Sequence, residues 1–541
     1  MLPSAHITGR PGAPHMDKLA PPTLAKIIAT IGPASDSPEM VERLIRAGVG
    51  IFRVNFSHGS LEDHARRVAT VRDVARKLEQ PVAVLGDLQG PKIRVGKVQE
   101  PGVELETGRD VLLVPSGESF DAAYRSAPVG VDVLPSDYPL ARDVEPGDRV
   151  LINDGLLRLM AIEREPADPA DALRCRVMVG GLVTSRKGIN LPDSNVRDEA
   201  ITEQDWRCVE WAVAHGLDFL ALSFVRRAAE VRKLKDALAS MCPLDKAMDP
   251  RGGGSLIPVI AKIEKPQALD DLDAIVEVSD AIMVARGDLG VEMDIADVPI
   301  VQKRLLEKCD EWGKPCIVAT QMLESMIVAA TPTRAEATDV ANAIFDGADA
   351  VMLSAETATG KHPALVVETM RRIMRAAETR IAERCERPSP SRRLAESHYR
   401  TAALAHGTWH AARDLGAKLV VCWSQRGGTA RYLSQTGLPI PVIAYSSDER
   451  EVRRMAILRG VTPRLMELPA SREPTLAWFN LEVDMDLLEL GWAEKGDAIV
   501  LVAGMPLGQQ GATNALAMHR LGSPASGFMA MVGEQGAADR G

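Results

Sequence analysis

Eight short apolar runs rich in Val, Ile and Ala recur along the first two-thirds of the chain, each followed by a helix-like stretch, and this alternation limits the fold more than any other feature. The runs occupy 26–31, 50–56, 82–89, 218–225, 256–264, 280–289, 315–322 and 348–357. Continuous apolar runs between amphipathic helices signal strands buried on both faces of a parallel sheet, and eight in succession predict a closed (β/α)8 barrel. Start-to-start spacings of about 24 to 38 residues suit one strand, one helix and short loops; the third, of about 136, does not.

The excess lies in 92–198, where "VELETGRDVLLV", "EPGDRVLINDGLLRLMAI" and "LRCRVMVGGLV" alternate apolar and polar residues between Gly and Pro turns. That pattern predicts a small all-β domain inserted after the third barrel strand. Thr202 then opens a helix with "TEQD", an N-cap signature, so the barrel takes 23–91 and 199–382. The polar stretch "ERCERPSPSRR" reads as a linker. Beyond it, apolar runs at 417–424, 440–446, 462–468, 497–504 and 515–521 predict an open α/β sheet domain over 394–522. The ends, 1–22 and 523–541, are expected to be loose tails.

Composition narrows the function classes. At 541 residues, with 46% hydrophobic and 26% charged residues, the chain has the make-up of a soluble globular protein. No apolar run approaches the ~18 residues of a membrane span. Lys and Arg number 64 against 74 Asp and Glu, so the net charge is −10, which argues against a nucleic-acid footprint and confines any anion site to a local cluster. Seven scattered cysteines without a C-x-x-C pair suit a reducing cytoplasm, and 1–22 lacks the apolar core of a secretory signal.

Active sites of such barrels form where the strands end, and here nearly every run ends in polar residues. They are Thr30; Arg53, Asn55 and Ser57; Asp87; Ser223; Lys262 and Glu264; Arg286 and Asp288; Thr320; and Ser354 with Glu356. Strand periodicity puts Lys262 and Glu264 on one face, and likewise Arg53 and Asn55. An ammonium within "LIPVIAKIE" requires a nearby anion. Glu264 and Asp288 offer hard oxygens for Mg²⁺, and the same residues also suit a Lys–carboxylate ion pair without a metal. In "ARGDLG", Gly287 and Asp288 stand where a helix begins, with free N–H groups for a carboxylate. A lysine, two carboxylates and flanking arginines match the needs of phosphoryl transfer, which rests on positioning and charge neutralisation.

Longer segments carry a resemblance. "KIIATIGPAS", "GIFRVNFSHG", "GDLQGPKIR", "SRKGINLP", "ALSFVR", "IAKIE", "IMVARGDLGVE", "ATQMLESM", "PTRAEATDVANAIFDGADAVMLSAET" and "GATN" run in order from about Lys26 to Asn514, and together they resemble the pyruvate kinases. The resemblance implies Mg²⁺-dependent transfer of phosphate from phosphoenolpyruvate to ADP, giving pyruvate and ATP, with Mn²⁺ as an alternative ion, in a cytoplasmic homotetramer whose inserted domain is a small β-barrel that closes as a lid. It makes Lys262, Arg53 and Thr320 the catalytic residues. Arg53, Lys262, Ser223, Thr320 and the turn Ala285, Arg286, Gly287 and Asp288 would bind substrate, and Glu264 and Asp288 the metal. Thr30, Pro33, Asn55, His58, Arg94 and Lys187 would meet the nucleotide. Where potassium-dependent members read D-T-K-G-P-E-I-R-T, this chain has Asp87 to Val95 as D-L-Q-G-P-K-I-R-V. Lys92 replaces the glutamate beside a monovalent-cation site matching Asn55, Ser57, Asp87 and Leu88, which implies that K⁺ is not required. Ala355 replaces the glycine of L-S-G-E-T. In the third domain, Ser424, Gly427, Gly428 and Thr429 of "CWSQRGGTARYL" could cradle a phosphorylated effector. A non-catalytic relative that binds metabolites is the rival reading, and a barrel aldolase or lyase a more distant one.

Overall fold

The computed structural model describes residues 23–126, 130–165, 172–197, 199–241, 257–383, 396, 398–469, 475–504, 507 and 513–523. The expected linker, from residue 384, and the tails except Ser523 lie outside these residues. The chain forms two compact units, one built on Ala25–Ser397 and the other on the remainder from His398.

In the first unit, eight strands close into a barrel: β1 Lys26–Thr30, β2 Val49–Asn55, β3 Ala83–Asp87, β4 Phe219–Leu222, β5 Val259–Ile263, β6 Ala281–Ala285, β7 Cys316–Ala319 and β8 Ala350–Leu353. All eight neighbour pairs are parallel, β1 bonding both β2 and β8. Each apolar run of the sequence thus became one strand. The sixth run is the exception in length: the strand stops at Ala285 and helix Arg286–Glu292 begins at once, with Leu289 buried on the helix rather than on the strand. Helix starts follow local chemistry. Ser60 with Asp63, Thr202 with Asp205 and Thr333 with Glu336 form reciprocal capping boxes.

The lower ends of the strands are fastened by one device used three times. Asp218, Asp280 and Asp349 each accept the N–H of the residue whose carbonyl they bond in return: Val84, Val259 and Cys316, at 2.8 Å from the carboxylate in each case.

The insert contains a six-stranded sheet and a two-stranded ribbon of Val103–Leu105 with Gly181–Val183. The expected small all-β barrel is therefore realised as two sheets, and it carries one helix, Glu118–Ser126, that the strand pattern did not predict. Its cause is topological. Strands Asp110–Pro115 and Asp132–Ser136 pair in parallel, and parallel neighbours need a crossover that no tight hairpin can supply.

The second unit holds five strands, Leu419–Trp423, Val442–Ser446, Val461–Leu465, Ala498–Gly504 and Thr513–Arg520. Four are parallel and the last is an antiparallel edge, which is the open α/β sheet the sequence predicts.

Candidate active site

The upper ends of β2 to β5 bring four ionisable side chains into one buried cluster. Lys262 Nζ lies 2.8 Å from Glu264 Oε1 and 3.2 Å from Asp87 Oδ1, and donates to Ser223 Oγ at 2.7 Å. Arg53 Nε donates to the other oxygen of Asp87 at 2.7 Å, and its Nη1 to Thr30 Oγ1 at 3.1 Å. Thr30 in turn donates to the carbonyl of Leu353. Ser223 is fixed by donating to the carbonyl of Leu88 at 2.7 Å. The anion that the buried lysine required is thus present twice.

Electrostatics follow from this packing. Burial works against the charge on Lys262, yet Asp87 and Glu264 overcome it and hold its pKa well above the usual lysine value. Burial likewise opposes ionisation of Asp87, but Lys262 and Arg53 outweigh it and push the carboxyl below its usual range. Glu264 goes the other way. Its burial, reinforced by the like charge of Asp288, raises it, because Lys262 divides its attraction between two carboxylates.

That imbalance is a test of the metal assignment. Both cations of the cluster are already matched by Asp87 and Glu264, so an incoming phosphate would add negative charge with nothing left to balance it. Glu264 and Asp288 crowd each other from adjacent segments, and a divalent ion taking few protein oxygens and completing its shell with substrate and water fits that pair. No group of three or more His, Cys, Asp or Glu suited to a metal occurs among the described residues.

Beside the cluster, Thr320 and Gln321 take left-handed backbone angles, φ +66° and +54°, a costly conformation outside glycine that is typical of functional turns. Thr320 Oγ1 accepts the Gly287 N–H at 2.7 Å and donates to the Ala319 carbonyl. A Cβ at Gly287 would stand 3.2 Å from that hydroxyl, a tight contact, so a glycine suits the close approach. Arg286 pairs with Asp339 at 2.7 Å and donates to the Thr320 carbonyl at 2.9 Å, so its side chain props the left-handed turn. Phe224, also left-handed at φ +54°, donates its N–H to Glu264 Oε2. Ala355 opens helix Ala355–Ala358 outside the left-handed region, so replacing the usual glycine there carries no strain.

At the root of the insert, Lys92 Nζ lies 3.6 Å from Asp288 Oδ1. Arg94 and Lys187 sit on two adjoining segments, where Arg94 pairs with Gly188 and Val95 N–H donates to the Lys187 carbonyl. Pro33 and His58 are exposed; Thr30 is buried, and Asn55 accepts the Ser57 N–H. The structure therefore brings together Arg53, Asp87, Ser223, Lys262, Glu264 and the helix of Asp288, while Thr30 serves this group by holding Arg53.

Three partners escaped the sequence reading. Asp339 lies inside a polar helix and carries no local mark of its bond to Arg286. Glu292, one turn beyond Asp288, could have been found from that spacing. Asp205 closes the capping box of Thr202, and its other oxygen also accepts the N–H groups of Gln89 and Gly90, pinning the exit of β3. In the second unit, Gly427 (φ +70°) precedes helix Gly428–Ser434 as expected. The two hydroxyls turn inward instead: Ser424 accepts the Ala430 N–H and Thr429 bonds Thr513.

Comparison with known proteins agrees with this geometry. Residues 23–367 match the family model of the pyruvate kinase barrel domain, and 402–519 that of the pyruvate kinase alpha/beta domain. A pyruvate kinase of Thermotoga maritima is 38% identical over 491 residues, 91% of this chain and 98% of the relative. Those of Mycobacterium tuberculosis and Corynebacterium glutamicum are 39% and 38% identical over 92% of this chain, and the matches cover 98% and 97% of those relatives. With both family models matched in order along the chain and relatives 38 to 39% identical over more than nine-tenths of it, the chain belongs to the pyruvate kinase family.

Proposed function

We propose that this chain transfers the phosphoryl group of phosphoenolpyruvate to ADP, giving pyruvate and ATP. The observation that carries the reading is Lys262, buried yet held charged by Asp87 and Glu264 beside Ser223 and Arg53. A cation so fixed needs no rearrangement as charge develops, and that is where electrostatic catalysis gains most. Arg53 holds the substrate phosphate and Lys262 stabilises the group as it detaches. The backbone of Ala285, Arg286 and Gly287 receives the substrate carboxylate, and for this Thr320 gives up its hold on the Gly287 N–H. Freed, the Thr320 hydroxyl faces the enolate carbon, where pyruvate takes its proton. Glu264 and Asp288 would hold Mg²⁺ or Mn²⁺, which would supply neutralising charge to the phosphoryl oxygens. Pro33, His58, Arg94 and Lys187 contact the nucleotide, with Thr30 and Asn55 behind them, and the insert closes to exclude water. Pyruvate formation from phosphoenolpyruvate and ADP, followed by a coupled assay, tests the reading; purified protein without that activity would favour the non-catalytic alternative.

Potassium is not required in this reading. Lys92 directs its ammonium at Asp288, and in this reading it supplies the charge of the monovalent ion that potassium-dependent members hold on groups matching Asn55, Ser57, Asp87 and Leu88. Activity in buffers holding only a bulky organic cation is expected to equal that with K⁺, and Lys92→Glu to create a dependence on K⁺. An effector phosphate in the second unit would be met by the backbone at Gly427 and Gly428, since Ser424 and Thr429 are committed elsewhere. A Cβ at Gly428 meets nothing within 4 Å, so Gly428→Asp adds charge without a clash and should abolish any activation by sugar phosphates or nucleotides. The assembly is a homotetramer, which sedimentation measures.

A further inference from the structure

The helix that carries Gly287 and Asp288 ends in a carboxylate with no part in the chemistry above. Glu292 is 1% exposed, and its Oε1 accepts two hydrogen bonds, from Lys265 Nζ at 2.7 Å and from Asn190 Nδ2 at 2.8 Å. The two donors come from different places. Lys265 directly follows Glu264. Asn190 lies in strand Ile189–Asn190, which pairs with Arg149–Ile152 of the insert's large sheet. Beside it, Ile189 N–H donates to the Ile93 carbonyl, tying together the two segments by which the chain enters and leaves the insert.

We propose that Glu292 is a positioning residue that locks the stem of the insert to the two segments bearing Glu264 and Asp288. The proposal rests on the phosphoryl-transfer reading and concerns how its parts stay in register. Glu292 lies one helical turn beyond Asp288, on the same face, and a two-turn helix of ~10 Å moves as a rigid lever. Rotation of the insert about its stem therefore acts on the helix end held at Asn190 and is felt at Asp288 and at the Gly287 N–H. The bond to Lys265 fixes the same point against the end of β5, so both carboxylates of the metal pair share one anchor. An apolar residue at 292 would fill the space but would leave Lys265 without its anion and Asn190 without its acceptor, a costly state for buried groups.

The test compares Glu292→Ala, Glu292→Gln and Asn190→Ala in the full chain. Misplacing a reacting group by a fraction of an ångström costs catalysis without abolishing binding, so Glu292→Ala should lower kcat about tenfold or more and raise the Mg²⁺ concentration for half activity several-fold. Glutamine keeps an acceptor for Lys265 and Asn190 and adds an N–H₂ in a cavity bordered by the unpaired Glu292 Oε2 and Asn190 Oδ1; Glu292→Gln should restore most of both values. Asn190→Ala should lower kcat with the Mg²⁺ titration unchanged, because the anchor to Lys265 remains. Wild-type kcat and Mg²⁺ response in folded Glu292→Ala would overturn the proposal, as would a glutamine variant no better than alanine. If Glu292→Ala does not fold, Asn190→Ala decides, and an unaltered kcat there refutes the lock. An inactive wild-type enzyme would instead refute the function itself, so the two failures are distinct.

Discussion

The two ends of the barrel use the same residue types for opposite purposes. At the lower end, Asp218 and Asp280 each accept a backbone N–H and also pair with a cation, Arg72 at 2.6 Å and Lys235 at 2.9 Å. Each carboxylate is spent within the fold, and its geometry repeats from one strand pair to the next. At the upper end, Asp87, Glu264 and Asp288 meet Arg53, Lys262 and Lys92, but the set is unequal: Asp87 is over-matched and Glu264 under-matched. Buried charge that balances locally builds a fold, whereas buried charge left unbalanced waits for a ligand.

The largest way to break this contrast is to remove one lysine from each end. Lys262→Met is expected to lower kcat by about a thousandfold or more, since the charge acts as the phosphoryl group detaches, with phosphoenolpyruvate binding largely kept. Near-normal kcat would end the assigned role. Lys235→Met should leave kcat alone and lower only the melting temperature. If both variants lost activity alike, the two ends would not differ in kind. Next in size is Glu264→Gln, expected to raise the Mg²⁺ requirement by about tenfold or more. An unchanged Mg²⁺ titration would return Glu264 to a plain ion pair.

A third variant sharpens the other side of the comparison. Asp218→Ala leaves the buried Val84 N–H without its acceptor and Arg72 without its anion, though the guanidinium keeps the carbonyls of Val82 and Gly216, and should cost about 2 to 4 kcal/mol of stability. Its kcat at 25 °C should be that of the wild type. Denaturant unfolding beside steady-state kinetics checks both, and a large loss of kcat in folded protein would show that the lower end is not purely structural.

How much of this was legible in the sequence differs between the two ends as well. The upper residues close apolar runs, so a polar residue there stands out: Arg53, Asp87, Lys262, Glu264 and Thr320 are all readable as run ends, and strand periodicity adds that Lys262 and Glu264 share a face. The lower aspartates open the runs, where a polar residue is ordinary, and their repeated role appears only when the neighbouring strand is in register. The helix Glu118–Ser126 was hidden because its segment follows a β-like pattern and its need arises from the parallel pairing of two strands. Long-range partners such as Asp339 for Arg286, or Asn190 for Glu292, 102 residues apart, leave no local trace. Side-chain direction was also beyond reach: Ser424 and Thr429 were correctly placed beside a glycine turn, yet they point inward because a helix N–H and Thr513 satisfy them.

The smallest effect concerns the third lower aspartate, which departs from its two counterparts. Asp349 accepts the Cys316 N–H, but among the described residues no salt bridge matches those of Asp218 and Asp280. Burial, only partly offset by that hydrogen bond, pushes its pKa up to about 7. The sign of the pH effect follows from proton counts. Between the ordinary carboxylate range and about 7, the folded state keeps a proton that the unfolded chain has released, so stability is full below that window and falls as pH rises through it. Asparagine keeps an oxygen for the Cys316 N–H and cannot ionise. Asp349→Asn should therefore melt near the wild-type temperature at pH 5 and a few degrees above it at pH 8, with kcat unaffected at either pH. Parallel melting curves across that range would mean that Asp349 is compensated as fully as Asp218 and Asp280, and the lower end of the barrel would then be electrostatically uniform.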